Sequence, residues 1–390
     1  MEPPAVVRGL VDRLPEPRDF KSRLHDPGVA ARLGIALGIS FTLCMLTGLV
    51  SHYNQQPPTW LLWPSRPVNL YRLNQGVHVL SGLASIPLLL AKLWTVYPKL
   101  FERPLLASVG KGLEKAFILV LVGGAAFQLV SGSFNVAVTY PWGFSFLPVH
   151  FAMAFVVYGA LLIHVGHEYA KVRQQLKIPL VDDVRTGGLT RRGFLGVAAG
   201  ASGLLVLGTA GQTVPLPEPL ARWLSPFATH LPRVGPQGVP VRKSAISAGV
   251  VGTAIDPAYR LTVSGAVGEV LELSLDDLRA LPQTTVDLPI TCVEGWSSTG
   301  TWTGVALRDL LVATGAGPDS SVRVVSLQQS GVYSTSAVDR PHVQDAKTLL
   351  ALELNGEPLH IDHGFPCRLI APNRPGVLQT KWLTRVEVSA

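Results

Sequence analysis

Charge is scarce in this sequence, and nowhere does it gather into a long run of one sign. Asp, Glu, Lys and Arg make up 15% of the 390 residues, against roughly a quarter in a typical soluble domain. Together with a mean hydropathy of +0.32, this scarcity argues against a disordered chain and against an ordinary cytosolic enzyme. There is no Lys/Arg-rich run to hold nucleic-acid phosphates, so the net charge of +7 needs another explanation. Cysteine is equally sparse. Cys44, Cys292 and Cys367 form no CxxC pair, which leaves no zinc or redox motif of that kind and no disulfide framework. No internal repeat is present.

What the first half does have is apolar stretches long enough to cross a bilayer. Four run over about Ala31–His52, Gln75–Tyr97, Ala116–Phe134 and Pro148–Tyr169, and a fifth, richer in Gly and Ala, covers Phe194–Thr213. Six Lys/Arg precede the first span (Arg8, Arg13, Arg18, Lys21, Arg23, Arg32). Five lie between spans two and three, among them Arg103, and six between four and five, among them Arg185. The alternate loops carry only Arg66 and Arg72. The positive-inside rule therefore predicts a cytoplasmic N-terminus in a multi-pass protein of the cytoplasmic membrane. Five crossings then leave the C-terminal half outside. The charge divides accordingly: residues 1–212 carry +9 and residues 213–390 carry −2. The basic excess records topology and carries no message about nucleic acid.

The predicted order is a segment 1–30, a four-helix membrane bundle 31–170, a loop 171–193, a fifth helix 194–213, a Pro-rich linker 214–244 and an outer domain 245–390. The linker reads as extended, with little helix. In the outer domain, short alternating runs at Tyr259–Val263, Val322–Leu327, Arg368–Ile370 and Arg385–Val388 read as strands. They are interrupted by helix-like Ser274–Leu281 and Val305–Thr314, each with acidic residues near its start. The fold class expected is an all-α transmembrane bundle joined to an α+β domain.

Six of the ten histidines lie in or beside the spans: His25, His52, His78, His150, His164 and His167. Ionisable side chains in a bilayer need partners and mark functional positions. His150 and His164 stand 14 residues apart, which on a helix is one face within roughly 40° and about 21 Å of rise. Such a pair suits one haem near each membrane surface. His78 sits at the depth of His150 and is the best partner for it. His52 is a possible substitute or a quinone-site residue. For His164 only His25 and His167 offer themselves. The segments Thr47–Tyr53, Gln75–Gly82 and His150–His164 resemble the bacterial cytochrome b membrane subunits of formate dehydrogenases and hydrogenases. That resemblance implies haem b, one or two, and electron exchange with quinone. It departs from the family in lacking an inner-haem ligand within span one.

Thr190-Arg191-Arg192-Gly193-Phe194-Leu195, ahead of the weakly apolar fifth span, looks like a twin-arginine export signal. The simpler reading is a pair of anchoring arginines. Export by that route handles domains folded around a cofactor, so the motif predicts one in the outer domain.

Thr291-Cys292-Val293-Glu294-Gly295-Trp296-Ser297 is the strongest signal in the chain. A lone Cys after a strand is commonly a buried small hydrophobe, but this one has a carboxylate two residues on. It also has a donor-rich tail, His363–Val388, holding Arg368, Asn373, Arg374 and Lys381. Those donors suit a phosphate-bearing ligand, and a thiolate suits a soft or high-valent metal. Together these segments resemble the sulfite oxidase family of molybdenum enzymes over about residues 245–390. The resemblance implies that Cys292 binds molybdenum and that His363 and Arg368 contact the molybdopterin. It implies too that Gln379, Thr380 and Lys381 hold its phosphate, with Asn373 and Arg374 in the same run. Tyr333 matches a tyrosine near the substrate, though it reads equally well as a core strand residue. Cys367 reads as packing, as does Cys44.

True sulfite oxidases follow the metal cysteine with a Gly-Asn-Arg run; here the run is Val293-Glu294-Gly295-Trp296-Ser297, which is similar to the Cys-Val-Glu of the periplasmic protein-methionine-sulfoxide reductases. A carboxylate there repels sulfite and can handle protons. The function expected is a membrane-anchored molybdenum oxidoreductase that performs oxygen-atom transfer outside the cytoplasmic membrane as a reductase of sulfoxide-type substrates, coupled through haem b to the quinone pool. One alternative is a sulfite or other dehydrogenase in which Arg323, Arg340 or Arg374 supplies the anion site. The other is a haem carrier without catalysis.

Overall fold

The computed structural model describes residues 15–58, 60–102, 109–181, 188–231, 234–317 and 319–389. Arg8, Arg13, Arg103 and Arg185 of the loop charges, with residues 1–14 of the N-terminal segment, lie outside the described residues. Among the described residues, five helices are long and apolar enough to cross a membrane: Pro27–Gln55, Leu70–Val96, Val109–Val136, Phe146–Leu176 and Arg191–Thr213. Each covers one expected span and adds polar turns, because helical hydrogen bonding continues where hydropathy falls. The first begins at a proline, whose missing N–H costs nothing there. Asp26 caps it by accepting from the N–H groups of Gly28 and Val29 at 2.8 and 3.0 Å.

Contacts divide the chain into two units, residues 1–46 with 78–207 and residues 47–77 with 208–390. In the first, helices one and two are stitched by hydroxyls: Ser40 donates to the Ser81 carbonyl at 2.7 Å and Ser85 donates to Ser40 at 2.9 Å. Lys92 donates to the Ala30 carbonyl at 2.7 Å. Helices three and four approach closely at Gly124, where a Cβ would stand 2.6 Å from a Val157 methyl. Small residues at helix contacts serve this purpose in membranes.

The second unit is α+β. One sheet has the order β2-β1-β10-β5-β6 and the other β3-β4-β7-β8, with β9 on β7. The first joins β1 (Leu261–Gly265), β2 (Leu271–Leu273), β5 (Ser321–Ser326), β6 (Thr335–Val338) and β10 (Leu383–Ser389). The second joins β3 (Gln283–Thr291), β4 (Ser297–Ala306), β7 (Leu349–Leu354), β8 (Glu357–Pro358) and β9 (Arg368–Ile370). Alternation along the strands sends Leu261, Val263, Val324 and Val386 into one core, and Leu288, Trp302, Leu349 and Ile370 into another. Both helix-like segments form, at Leu275–Ala280 and Leu307–Ala313. Ser274 and Asp277 make a reciprocal capping box at the first. Among its described residues the Pro-rich stretch holds a short α-helix, Glu218–Trp223, and a 3-10 turn, Pro236–Gly238.

His342 is buried beside Arg374 and Asp345, and burial, then Arg374, lowers its pKa to about 4. An unfolded histidine titrates near 6.5. Below that pH the unfolded chain takes up a proton that the folded domain refuses until about pH 4. Stability is therefore fully present above pH 6.5 and declines below it, by on the order of 3 kcal/mol for this residue. The melting temperature of the detergent-solubilised chain should fall between pH 6.5 and 4.5, and less steeply in His342→Leu. Equal slopes would rule the residue out.

Candidate active site

Between β3 and β4 the chain reverses over Cys292–Trp296. The Cys292 N–H donates to the Trp296 carbonyl at 2.9 Å, and the Gly295 N–H to the Cys292 carbonyl at 3.1 Å. Gly295 has φ +101°, a conformation that favours glycine. This turn buries Cys292, Glu294 and Trp296, each at 5% exposure or less. The Cys292 thiol donates to Glu294 Oε2 at 2.7 Å, and the Trp296 indole donates to the same oxygen at 3.2 Å. Arg242 Nε donates to Glu294 Oε1 at 2.7 Å. A buried carboxylate is tolerated when its lone pairs are met in this way. Burial first, and the Glu294 charge second, push the Cys292 thiol well above its ordinary range. A metal taken up here would have to displace that proton.

The tail contributes the second part. His363, Arg368, Arg374, Gln379 and Thr380 are buried and Lys381 is half-buried. Arg368 donates to the carbonyls of His363 and Gln379 at 2.9 and 3.1 Å and lies 5.0 Å from the Trp302 ring centroid. Arg374 donates to the carbonyls of Ala337 and Leu378. Lys381 donates to the carbonyls of Lys243 and Asp362. Among the described residues none of the three cations has a carboxylate in an ion pair. Burial accordingly lowers the pKa of Arg368 to about 9, Arg374 to about 10 and Lys381 to about 7. His363, bonded through Nε2 to the Pro236 carbonyl at 2.7 Å, is lowered to about 4 by burial and then Arg368. Buried positive charge held by carbonyls, with no ion-paired carboxylate among the described residues and close enough to Cys292 for Lys381 to sense it, fits an anionic group bearing sulfur-bound metal.

Residues 248–390 match the family model described as the oxidoreductase molybdopterin-binding domain. This half of the chain is a molybdopterin-binding oxidoreductase domain. It is of the sulfite oxidase type. The chain is 34% identical over 164 residues to mitochondrial sulfite oxidase of Mus musculus, covering 35% of this chain and 30% of that protein. It is 34% identical over 132 residues to a protein of Azospira oryzae named as a protein-methionine-sulfoxide reductase subunit, covering 34% of this chain and 49% of that protein. NADH nitrate reductase of Ulva prolifera is 29% identical over 201 residues, covering 43% and 21%. The chain spans half or less of the length of these relatives.

Within the molybdopterin-binding domain, some expected contacts turn inward. The Gln379 amide is closed on the backbone of Ala371, accepting and donating at 2.8 Å. Thr380 shares a hydrogen bond with Ser336 at 2.7 Å. Asn373 accepts from the Tyr71 N–H and donates to the Pro64 carbonyl, both at 2.7 Å. These side chains brace the run that carries the cations. Tyr333 is half-buried in the turn before β6 and senses Cys292, so it is not a core strand residue. Cys367 is fully buried among apolar side chains, as packing requires.

Of the alternative anion-site residues, Arg323 faces Glu387 at 3.7 Å and Arg340 pairs with Asp319 at 2.9 Å, while Arg374 is buried and donates to carbonyls. The arginine at the carboxylate is Arg242, from the stretch read as a linker. The same stretch brings His230, whose ring stacks on Trp296 at 5.5 Å and 20°.

The other contributors missed by sequence reasoning come from residues 47–77. Gln75 Nε2 donates to the Val293 carbonyl at 2.6 Å and is itself held by Ser51 at 2.8 Å. Tyr71 is 2% exposed and in electrostatic range of Cys292, Tyr333 and Glu294. Arg66 grips Asp345 with two hydrogen bonds, at 2.7 and 2.8 Å. The available signal was that Arg66 and Arg72 are the only cations of their loops. Gln75→Ala strands the Val293 carbonyl. One such bond is worth about 1–1.5 kcal/mol, so amide exchange across 292–296 should speed up by about tenfold with molybdenum content retained. Unchanged exchange, read by mass spectrometry on the full chain, would remove the positioning role.

In the other unit, His78 Nδ1 is hydrogen-bonded to the Cys44 carbonyl at 3.0 Å and His150 Nδ1 to Ser131 Oγ at 3.1 Å. The two imidazoles lie in electrostatic range of each other. His164 has Lys92, Glu168 and His167 around it. His25 packs on Phe20, Trp94 and Tyr97, and His167 faces Glu114 and Glu168 at 3.8 and 3.7 Å. In the second unit, His52 packs edge-on against Tyr53.

Proposed function

We propose that this chain is a membrane-anchored molybdenum oxidoreductase whose outer domain reduces a sulfoxide-type substrate. Its electrons come from quinol through haem b. The observation that carries the reading is the buried Cys292–Glu294 pair beside three buried or half-buried cations that have no carboxylate partner. Bound molybdopterin would supply a metal able to exchange an oxygen atom and two electrons. Cys292 would hold the metal, while Arg368, Arg374 and Lys381 would meet the phosphate and His363 would line the pterin. Glu294, held by Arg242 and Trp296, is the acid–base group at hand. Tyr333 and Tyr71 wall the substrate side.

Fixing Nδ1 of a histidine orients the other nitrogen for a metal, which supports His78 and His150 as axial ligands of one haem. Loop charges support a cytoplasmic N-terminus and an outer catalytic domain. Arg191 pairs with Asp26 at 3.1 Å, a contact compatible with either an anchor or an export signal. A relative named as a sulfoxide reductase subunit supports the reductive direction. The second reading, a sulfite dehydrogenase feeding quinone, is favoured by Arg242, whose side chain is 43% exposed beside the carboxylate. Protein extracted from membranes should contain molybdenum, pterin and a b-type haem spectrum, and should turn over methionine sulfoxide faster than sulfite. Faster sulfite oxidation selects the second reading, and absent molybdenum rejects both.

A further inference from the structure

Residues of the second unit enclose a cavity of about 590 Å³, lined in part by Arg72, Val214, Leu216, Leu231, Ser298 and Thr299. Arg72 is 8% exposed. Its Nε donates to the Thr213 carbonyl at 3.1 Å and its Nη1 to Thr299 Oγ1 at 3.3 Å. It forms no ion pair among the described residues. The carboxylate lining the same cavity, Glu218, pairs with Arg222 at 3.3 Å. Ser298 is 3% exposed, and its hydroxyl finds no hydrogen-bond partner. A buried guanidinium outside any ion pair and a buried hydroxyl without a partner thus border a space whose one lining carboxylate, Glu218, is engaged by Arg222.

We infer that this cavity binds the phosphate of a membrane phospholipid. Guanidinium and hydroxyl donors match phosphate oxygens, and Val214, Leu216 and Leu231 offer an apolar wall to the glycerol and first acyl carbons. The location agrees. Arg72 lies in the first turn of the second apolar helix, and Thr213 ends the fifth. On the loop-charge topology both ends lie at the outer membrane–water boundary. A quinone carries no negative charge and would leave Arg72 uncompensated, which favours the lipid. The inference uses the membrane reading but neither molybdenum nor haem.

The test is native mass spectrometry of the full chain, delipidated in detergent and then exposed to phosphatidylglycerol vesicles. One phospholipid should be retained per chain. Retention should fall at least tenfold in Arg72→Gln and in Leu216→Trp, which fills the space without removing charge. It should fall several-fold in Ser298→Ala and persist in part in Arg72→Lys. Unchanged molybdenum content and melting temperature would show that the variants are folded. Vesicles of a phosphate-free glycolipid should give no retention, and millimolar inorganic phosphate alone should not displace the lipid. Four results would each overturn the proposal: equal retention in wild type, Arg72→Gln and Leu216→Trp; retention of the glycolipid; a phosphate ion in place of lipid; or a quinone that displaces it.

Discussion

Cys292→Ser is expected to lower turnover by a thousandfold or more, about 4 kcal/mol of barrier, while the protein stays folded. The serine hydroxyl can still donate to Glu294, as the thiol does at 2.7 Å, so the buried carboxylate keeps its donors. Trp296 and Arg242 are untouched. What is lost is the soft thiolate that a high-valent metal prefers. The cation cradle belongs to a different segment, so pterin content should remain. The measurements are viologen-driven sulfoxide turnover, molybdenum and pterin content, and melting temperature, all on detergent-solubilised protein. Activity within tenfold of wild type would sink the assignment of Cys292.

Replacing His78 or His150 with Ala is expected to remove the low-spin b-type signal and to take quinol-driven turnover to background. Turnover driven by a reduced dye should survive, because the dye bypasses the haem. Both imidazoles are fixed, each with Nδ1 engaged by a neighbour in its own unit. Imidazole is a standard axial ligand, and loss of one from a paired site opens or empties it. Retention of the full spectrum in both variants would contradict the pairing. His164→Ala then reports on a second haem: a spectrum reduced by half places one there, and an unchanged spectrum limits the chain to one.

Much of the site was legible because its chemistry is local. Cys292, Glu294 and Trp296 are neighbours in one turn, and His363 and Arg368 lie five residues apart. Arg242 was not legible. Its composition reads as linker, and nothing within its own stretch says that it ends beside a carboxylate 52 residues on. Gln75 is harder still. It looks like one polar residue at the head of an apolar helix, yet its partner lies 218 positions away. Asn373 and Gln379 are polar residues of the tail run whose amides meet backbone groups in the fold, as most buried side-chain polar atoms do.

By itself the sequence determined the five apolar helices, the loop-charge asymmetry, the strand alternation and the two helical segments of the outer domain. Each is a sum over neighbouring residues, so local order carries it. Only the tertiary structure decided that residues 47–77 pack with the catalytic half, and that the Pro-rich stretch supplies Arg242 and the carbonyl for His363. It alone also showed that Arg72 and Ser298 share a cavity. Those outcomes depend on hydrogen bonds between segments remote in the chain, each worth about 1 kcal/mol. No local pattern specifies such bonds before the fold brings donor and acceptor together.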